Sequence, residues 1–186
     1  RAAVNTFIER VYKGIKKKKK EVLFGISPFG IWRPGFPNEI QGMDAYSTLY
    51  ADARLWLQEG WVDYLTPQLY WPINQEPQSF PRLLGWWQDQ NSKNRNLWPG
   101  SSIGRYEGEA GIDEVNNHIM ISRGMLRPNP GLVHWSIAAL QNNPDLMDAL
   151  RNGVYKNKAL IPASPWLSEK KPKMPAVSIR SINGSY

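Results

Sequence analysis

The amino-acid sequence predicts an α/β protein built around parallel strands. Short apolar segments begin near Val22, Val62, Leu97 and Leu132, at intervals of 40, 35 and 35 residues. Segments with helical periodicity lie between them. Strands that alternate with helices at this spacing are typical of right-handed βαβ units, in which the strands lie side by side and parallel. The pattern stops after Gly153.

The first predicted strand is preceded by a helix and followed by a long loop. Apolar residues recur at helical spacing over residues 1–18, and the apolar run at 22–26 predicts a buried strand that ends before Pro28. Asp44 stands where a helix N-cap is expected, ahead of an apolar stripe over residues 46–57.

The same order of strand and helix then repeats. Further strands are predicted over residues 62–71, 96–103 and 132–140. Ser79 is expected to cap the helix that follows the strand predicted over residues 62–71. Asn143 is expected to open the last helix, which Gly153 ends.

Four strand–helix units preceded by a helix fit two architectures. One is a small open doubly wound sheet, and the other is half of an eight-stranded (β/α)₈ barrel, which typically needs ~250 residues. A chain that starts in a helix and ends in a stretch with four prolines is expected to be part of a longer protein. Residues 156–186 are therefore expected to be a linker rich in proline and lysine.

The composition excludes several classes of protein. Because the chain has no cysteine, it has no disulfide scaffold, thiol nucleophile or thiolate metal site. The net charge is +7, but Lys16 to Lys20 and residues 156–186 each contribute +5, which leaves −3 on the rest. Basicity confined to one run and one tail argues against nucleic acid as the partner. No apolar run approaches the ~20 residues that span a bilayer.

Nucleotide and metal chemistry also find no support in the sequence. The glycine-rich nucleotide-binding motifs and the serine-hydrolase motif are absent. The two histidines, His118 and His134, are not at a spacing typical of metal ligands. We therefore expect no cofactor and no metal.

Aromatic rings and planar polar groups are concentrated where the predicted strands end. In parallel α/β folds, the loops at the carboxyl ends of the strands build the site. Aromatic faces suit the C–H faces of sugar rings, and amide, guanidinium and hydroxyl groups suit sugar hydroxyls. A single such ring could equally cap the core. The substrate-binding residues that we expect are Ser27, Trp32, Arg33, Gln68, Tyr70, Trp71, Arg105, Tyr106 and Ser136.

Hydrolysis of a glycosidic bond needs two carboxylates, and this chain offers no good pair. Asp63 lies at the start of its predicted strand, which indicates a structural role. Four loop glutamates are not at strand ends and are expected to be solvated: Glu39, Glu76, Glu107 and Glu109. The catalytic residues are thus unknown, and we expect the acid and base to lie mostly outside this chain.

Several motifs together resemble the glycosyl hydrolase-like 10 family. The main ones are residues 25–35, 50–64 and 67–71, and shorter matches continue the resemblance over about residues 1–175. It implies a (β/α)₈ barrel of which residues 1–155 hold about strands five to eight. Residues 156–186 would then be the linker and the start of a C-terminal β-sandwich domain. The acidic Asp-Asp-Tyr-Phe-Tyr-Pro stretch of the family is absent, so its carboxylates are not carried over.

The resemblance also implies a function and a location. Members cleave glycosidic bonds in polysaccharide, and one branch cleaves peptidoglycan glycan strands stripped of their peptides. They are commonly extracellular, periplasmic or lipid-anchored in the bacterial envelope, so any membrane contact would come from an anchor upstream of this chain. The expected partner is a polysaccharide or glycan strand, with the missing half of the barrel required.

Two other functions stay open from the sequence. One is a non-catalytic carbohydrate-binding protein on the same scaffold. The other, less favoured, is a nucleic-acid binder that uses the lysines and the aromatic rings.

Overall fold

The computed structural model describes residues 1–168. The helices of this part are α1 (Ala2–Lys18), α2 (Ala45–Thr48), α3 (Ala53–Gln58), α4 (Phe80–Asp89), α5 (Gly108–Met125), α6 (Ile137–Gln141) and α7 (Pro144–Asn152). The strands are β1 (Gly25–Ile26), β2 (Tyr64–Leu65), β3 (Asn96–Leu97), β4 (Gly100–Ser101) and β5 (Val133–His134). The predicted start of a β-sandwich domain lies mainly in residues 169–186, outside the described residues.

The strands are parallel and follow one another in chain order. β1 pairs with β2 and β2 pairs with β3, while β4 pairs with β5. A bridge between Gln68 and Gly100 continues the pairing from the β2 segment to the β4 segment. The strand order does not reverse, as it would in a doubly wound sheet. This mixed α/β arrangement with parallel strands is consistent with part of a TIM-barrel-like fold.

The hydrogen-bonded ladder extends beyond the short strands. The Gln68 N–H donates to the Pro28 carbonyl at 3.0 Å, and the Trp135 N–H donates to the Ser101 carbonyl at 2.8 Å. The segment predicted as a third strand, residues 96–103, is interrupted between β3 and β4, where Pro99 has no N–H to donate to a ladder. The ladder therefore carries the parallel arrangement up to the carboxyl ends of the strands, where the loops begin.

All four predicted strands are longer than the observed ones, and two segments differ further from the prediction. The stripe over residues 46–57 forms two helices, because the chain turns at Tyr50, whose φ is +53°. The strand predicted to reach Leu140 ends at His134, and Ile137–Gln141 is helical. A short apolar run does not distinguish a buried strand from a helix, and alanines at 138 and 139 favour the helix.

The predicted caps are confirmed at three positions and wrong at a fourth. Asp44 accepts a hydrogen bond from the Ser47 N–H, Asn143 caps α7, and Gly153 ends it. Ser79 precedes α4 but does not cap it. Its hydroxyl instead donates to the Ile73 carbonyl at 3.0 Å.

Two apolar clusters hold the helices against the strands. The larger one packs α3 and α4 on the sheet formed by β1, β2 and β3, around fully buried Leu57, Leu65 and Trp87. The smaller one joins α5 to α7 through Val115 and Leu146. Together they leave the carboxyl ends of the strands free for the loops.

The amino ends of the strands meet around one buried carboxylate. Asp63 is 0% exposed and accepts hydrogen bonds from the Phe24 N–H at 2.7 Å and the Trp166 indole N–H at 2.8 Å. Lys16 forms a salt bridge with the same carboxylate. The structural role predicted for Asp63 agrees with this arrangement, which ties α1, β1 and the segment after α7 together.

Candidate functional site

A cleft of about 400 Å³ opens at the carboxyl ends of the parallel strands. Its lining comes from the loops that follow β1, β2, β4 and β5: Phe29, Gln68, Tyr70, Trp71, Ser102, Arg105 and Trp135. Four of the residues predicted from the sequence are therefore brought together, namely Gln68, Tyr70, Trp71 and Arg105.

Gln68 lies in the floor of the cleft and is fixed by pairing on both sides. Its backbone bridges to Phe29 on one side and to Gly100 on the other. Its amide Nε2 donates to the Ser27 carbonyl oxygen at 3.1 Å, and the Ser27 hydroxyl lies 3.4 Å away. Ser27 is thus next to the cleft and orients Gln68. The Gln68 side-chain oxygen has no hydrogen-bond partner among residues 1–168, so it is available to a ligand hydroxyl.

Tyr70 and Trp71 are packed against glycines of the neighbouring strand segments. A Cβ atom at Gly100 would lie 3.1 Å from the Tyr70 ring, and a Cβ at Gly30 would lie 2.9 Å from the Trp71 ring. Phe29 meets Trp71 edge-on, with ring centroids 5.6 Å apart. Rings held in this way lose little conformational freedom when a ligand stacks on them.

Arg105 closes one side of the cleft from a 3₁₀ turn, Ile103–Arg105. Its Nη1 donates to the Tyr70 carbonyl at 2.7 Å. A guanidinium carries five N–H donors, so one such bond leaves others available to a ligand. Burial raises the pKa of Tyr70, and its phenol therefore stays protonated at neutral pH.

Two predicted residues are buried or paired elsewhere. Trp32 is 8% exposed, stacks on Trp86 with centroids 5.8 Å apart, and donates its indole N–H to Asp52 at 3.1 Å. Arg33 pairs with Asp44 at 3.4 Å. Neither residue lines the cleft, so the stacking expected of Trp32 and the ligand contact expected of Arg33 stay predictions that this cleft does not support. An aromatic at a loop position can belong to the core of the loop itself.

Tyr106 and Ser136 lie behind the cleft rather than in its wall. The Tyr106 ring meets His118 edge-on at 5.7 Å, and burial raises the pKa of its phenol to about 12. Ser136 begins α6 and is half-buried. Its neighbour Trp135 is 62% exposed and does line the cleft.

Three cleft residues were absent from the sequence-based set: Phe29, Ser102 and Trp135. Each follows the end of a strand by one to three residues. The sequence carries a signal for them, because Phe29 and Trp135 are aromatic residues at strand ends and Ser102 carries a hydroxyl at such an end.

The wall of the cleft carries no carboxylate in the part of the chain that the structure describes. Glu39, one of the loop glutamates, forms an exposed salt bridge with Arg82 at 2.6 Å. Residues 1–168 also hold no group of three His, Asp or Glu side chains that could bind a metal ion. Over the same residues, no helix combines the length and apolarity needed to cross a membrane.

The sequence of this chain is similar to a known protein family and to named proteins. The sequence model of the family described as "Glycosyl hydrolase-like 10" matches residues 1–103. The chain is 35% identical to glycosyl hydrolase YngK of Bacillus subtilis (strain 168), over 94% of the chain and 36% of that protein. It is 38% identical to glycosyl hydrolase DigH of Escherichia coli (strain K12), over 44% of the chain and 20% of that protein. The chain therefore spans about a third of the length of the Bacillus relative.

Proposed function

The chain belongs to the glycosyl hydrolase-like 10 family, and on that basis we propose that it supplies the sugar-binding half of a glycoside hydrolase site. The proposed substrate is a polysaccharide, specifically the glycan strands of peptidoglycan. The observation that carries the proposal is the cleft at the carboxyl ends of the strands, where aromatic rings lie beside the Gln68 amide oxygen and the remaining N–H donors of Arg105.

Five of the seven cleft residues have a role in contacting the sugar in this proposal. Trp71 and Trp135 stack on sugar rings, and Tyr70 extends the aromatic wall. Gln68 and Arg105 hydrogen-bond to hydroxyl or acetamido groups. A sugar held at several points reacts faster because its glycosidic bond is already placed next to the catalytic groups.

The acid and base come from outside this chain in our proposal. Glycosidases place two carboxyl groups ~5–5.5 Å apart when they retain configuration and ~6.5–9.5 Å apart when they invert it. Since the described wall offers none, we propose that the chain contributes about strands five to eight of a (β/α)₈ barrel. The other half of the barrel would supply the carboxylates. Consistent with such a substrate, we propose an extracellular, periplasmic or lipid-anchored location.

A non-catalytic carbohydrate-binding protein is the second candidate. The absence of a carboxylate from the wall formed by residues 1–168 favours it. A nucleic-acid binder is less favoured, because the lysine run begins at Lys16, which contacts Asp63 at the opposite end of the strands from the cleft.

One experiment separates these functions. The full-length protein is incubated with glycan strands freed of their stem peptides, and both binding and the release of new reducing ends are measured. Binding with release supports the hydrolase, and binding without release supports the non-catalytic candidate. If neither occurs, both are contradicted. Phe7→Ala is the matched control for cleft variants, because Phe7 is 63% exposed on α1, away from the cleft.

A further inference from the structure

The backbone that carries Trp71 is held by three side chains from three different elements. Arg105 donates to the Tyr70 carbonyl, Ser79 donates to the Ile73 carbonyl, and the Ile73 N–H donates to Glu114 Oε1 at 2.7 Å. Both backbone polar groups of Ile73 are thus bonded to side chains. Trp71 lies between the two fixed residues, so its position in the cleft depends on these bonds.

On its other side, Glu114 lies beside a buried imidazole. It lies on α5 one turn before His118, whose Nε2 is 3.3 Å from the same Oε1 atom without hydrogen-bond alignment. The other ring nitrogen of His118, Nδ1, lies 3.0 Å from the Ser101 hydroxyl at the end of β4. His118 and Ser101 are both 0% exposed. These contacts connect the end of β4, through the buried imidazole of His118 and the Glu114 carboxylate, to the loop that carries Trp71.

The imidazole has little freedom to move. Its ring stacks on Phe80 with centroids 3.9 Å apart and planes 8° apart, and Tyr106 meets it edge-on. Burial lowers the pKa of His118 to about 4, so the ring is neutral at pH 7. If the Ser101 hydroxyl donates to Nδ1, the ring proton lies on Nε2 and faces the Glu114 carboxylate.

We propose that Glu114 is a positioning residue that sets the place of Trp71 in the cleft through the Ile73 N–H, with the buried His118 ring packed beside its carboxylate. The inference rests on the proposed function for its consequence, because the position of Trp71 matters for activity only if the ring binds a glycan. Glu114 is not a catalytic residue, since it lies behind the loop and does not line the cleft.

The test compares two substitutions of Glu114, one that keeps a hydrogen-bond acceptor in the side chain and one that removes it. Glu114→Gln keeps an Oε1 acceptor for the Ile73 N–H, whereas Glu114→Met keeps the length and removes the acceptor. Glu109→Met on the same helix is the control, because Glu109 is exposed and has no salt bridge within residues 1–168.

Two readouts are taken on the full-length protein labelled with 5-fluorotryptophan. The first is the ¹⁹F resonance of Trp71, assigned by its loss in Trp71→Phe. The second is affinity for glycan strands freed of stem peptides. We expect Glu114→Met to shift or broaden the Trp71 resonance and to weaken affinity about three- to tenfold, the scale of one hydrogen bond. Glu114→Gln and Glu109→Met should resemble the wild type in both.

The proposal is overturned if Glu114→Met leaves the Trp71 resonance unchanged, or if Glu114→Gln perturbs it as much as Met does. Should Glu114→Met fail to fold, Ser79→Ala tests the premise of the proposal, since it removes the other side-chain bond to Ile73, from the residue before α4, and should perturb the same resonance. An unchanged resonance in Ser79→Ala would contradict the premise that bonds to Ile73 set the place of Trp71, and with it the proposal. A wild-type protein that binds no glycan would contradict the proposed function alone, because the resonance still reports the position of Trp71.

Discussion

The two ends of the strands differ in how their polar groups are used. At the amino end, the Asp63 carboxylate is fully buried and receives hydrogen bonds from a backbone N–H, an indole and a lysine. At the carboxyl end, Trp135 is 62% exposed, and Gln68 and Arg105 each keep hydrogen-bonding capacity in reserve. A polar group whose hydrogen bonds are all made within the protein stabilises the fold. A polar group that keeps an unused hydrogen-bond donor or acceptor is available to a ligand.

The difference predicts that substitutions at the two ends affect different quantities. Variants at the amino end should lower the free energy of unfolding and leave glycan affinity in the folded protein unchanged. Variants at the carboxyl end should lower glycan affinity with smaller effects on stability.

The largest effect is expected for Asp63→Ala. Removing one member of a buried ion pair leaves the Lys16 ammonium and two N–H donors without their acceptor, at a cost of about 3–5 kcal/mol. Thermal or urea unfolding measures the loss, and Asp113→Ala, at an exposed position, is the control. An unchanged melting temperature would show that the buried carboxylate does not stabilise the fold.

Trp71→Ala should act on binding instead. Loss of a stacking platform is expected to weaken glycan affinity by ~1–3 kcal/mol, the scale of other aromatic stacking contacts. Trp32→Ala is the internal comparison, because that ring is buried and its truncation should cost ~3–5 kcal/mol of stability. If Trp71→Ala melts the protein and leaves affinity unchanged in the folded fraction, Trp71 belongs to the core.

The pH dependence of stability should report the buried imidazole behind the cleft. Because burial lowers the pKa of His118 to about 4, the unfolded chain binds a proton between that value and about 6.5 while the folded protein does not. Stability should therefore fall by roughly 2 kcal/mol between pH 7 and pH 5. Burial also lowers the pKa of His134, which adds in the same direction.

Measuring the pH dependence of stability in His118→Gln separates the contribution of His118 from that of His134. The variant should show a shallower loss of stability with acid than the wild type, with the remaining slope due in part to His134. An identical slope would mean that His118 does not stay neutral in the folded protein.

The smallest effect is expected at Gly100. A Cβ there would lie 3.1 Å from the Tyr70 ring, a distance that a shift of a few tenths of an ångström relieves. Gly100→Ala should cost about 1 kcal/mol of stability, the low end for overpacking a buried site, and lower glycan affinity a few-fold. Gly25→Ala is the contrast near the amino end, where the Cβ would lie 2.1 Å from the Tyr64 ring and a larger loss of stability is expected.

The sequence predicted the strand ends better than it predicted what each loop residue contacts. Parallel strands in chain order place Gln68, Tyr70, Trp71 and Arg105 at one edge, and the strand spacing alone was enough to expect this. Trp32 has the same residue type and the same kind of loop position, but the loop folds back over α3 and α4 and buries the ring against Trp86. The path of the loop decides whether such a ring lines the cleft or is buried in the core.

The role of Ser79 and Glu114 could not be predicted for a related reason. Ser79 precedes a helix, where its hydroxyl commonly caps the backbone, and Glu114 lies on a helix with no motif around it. Their hydrogen bonds to Ile73 depend on how α4 and α5 pack behind the loop. Contacts between distant segments of this kind follow from the three-dimensional packing and not from local sequence.

Hydrogen–deuterium exchange of the full-length protein, with and without glycan strands freed of stem peptides, tests the contrast between the two ends most directly. At a temperature where turnover is slow, we expect increased protection in peptides that contain residues 68–73 and 102–105. Peptides around residues 16–24 and Asp63 should not change. Protection that rises only at the amino end, or at neither end while the glycan is bound, would contradict the assignment of the cleft.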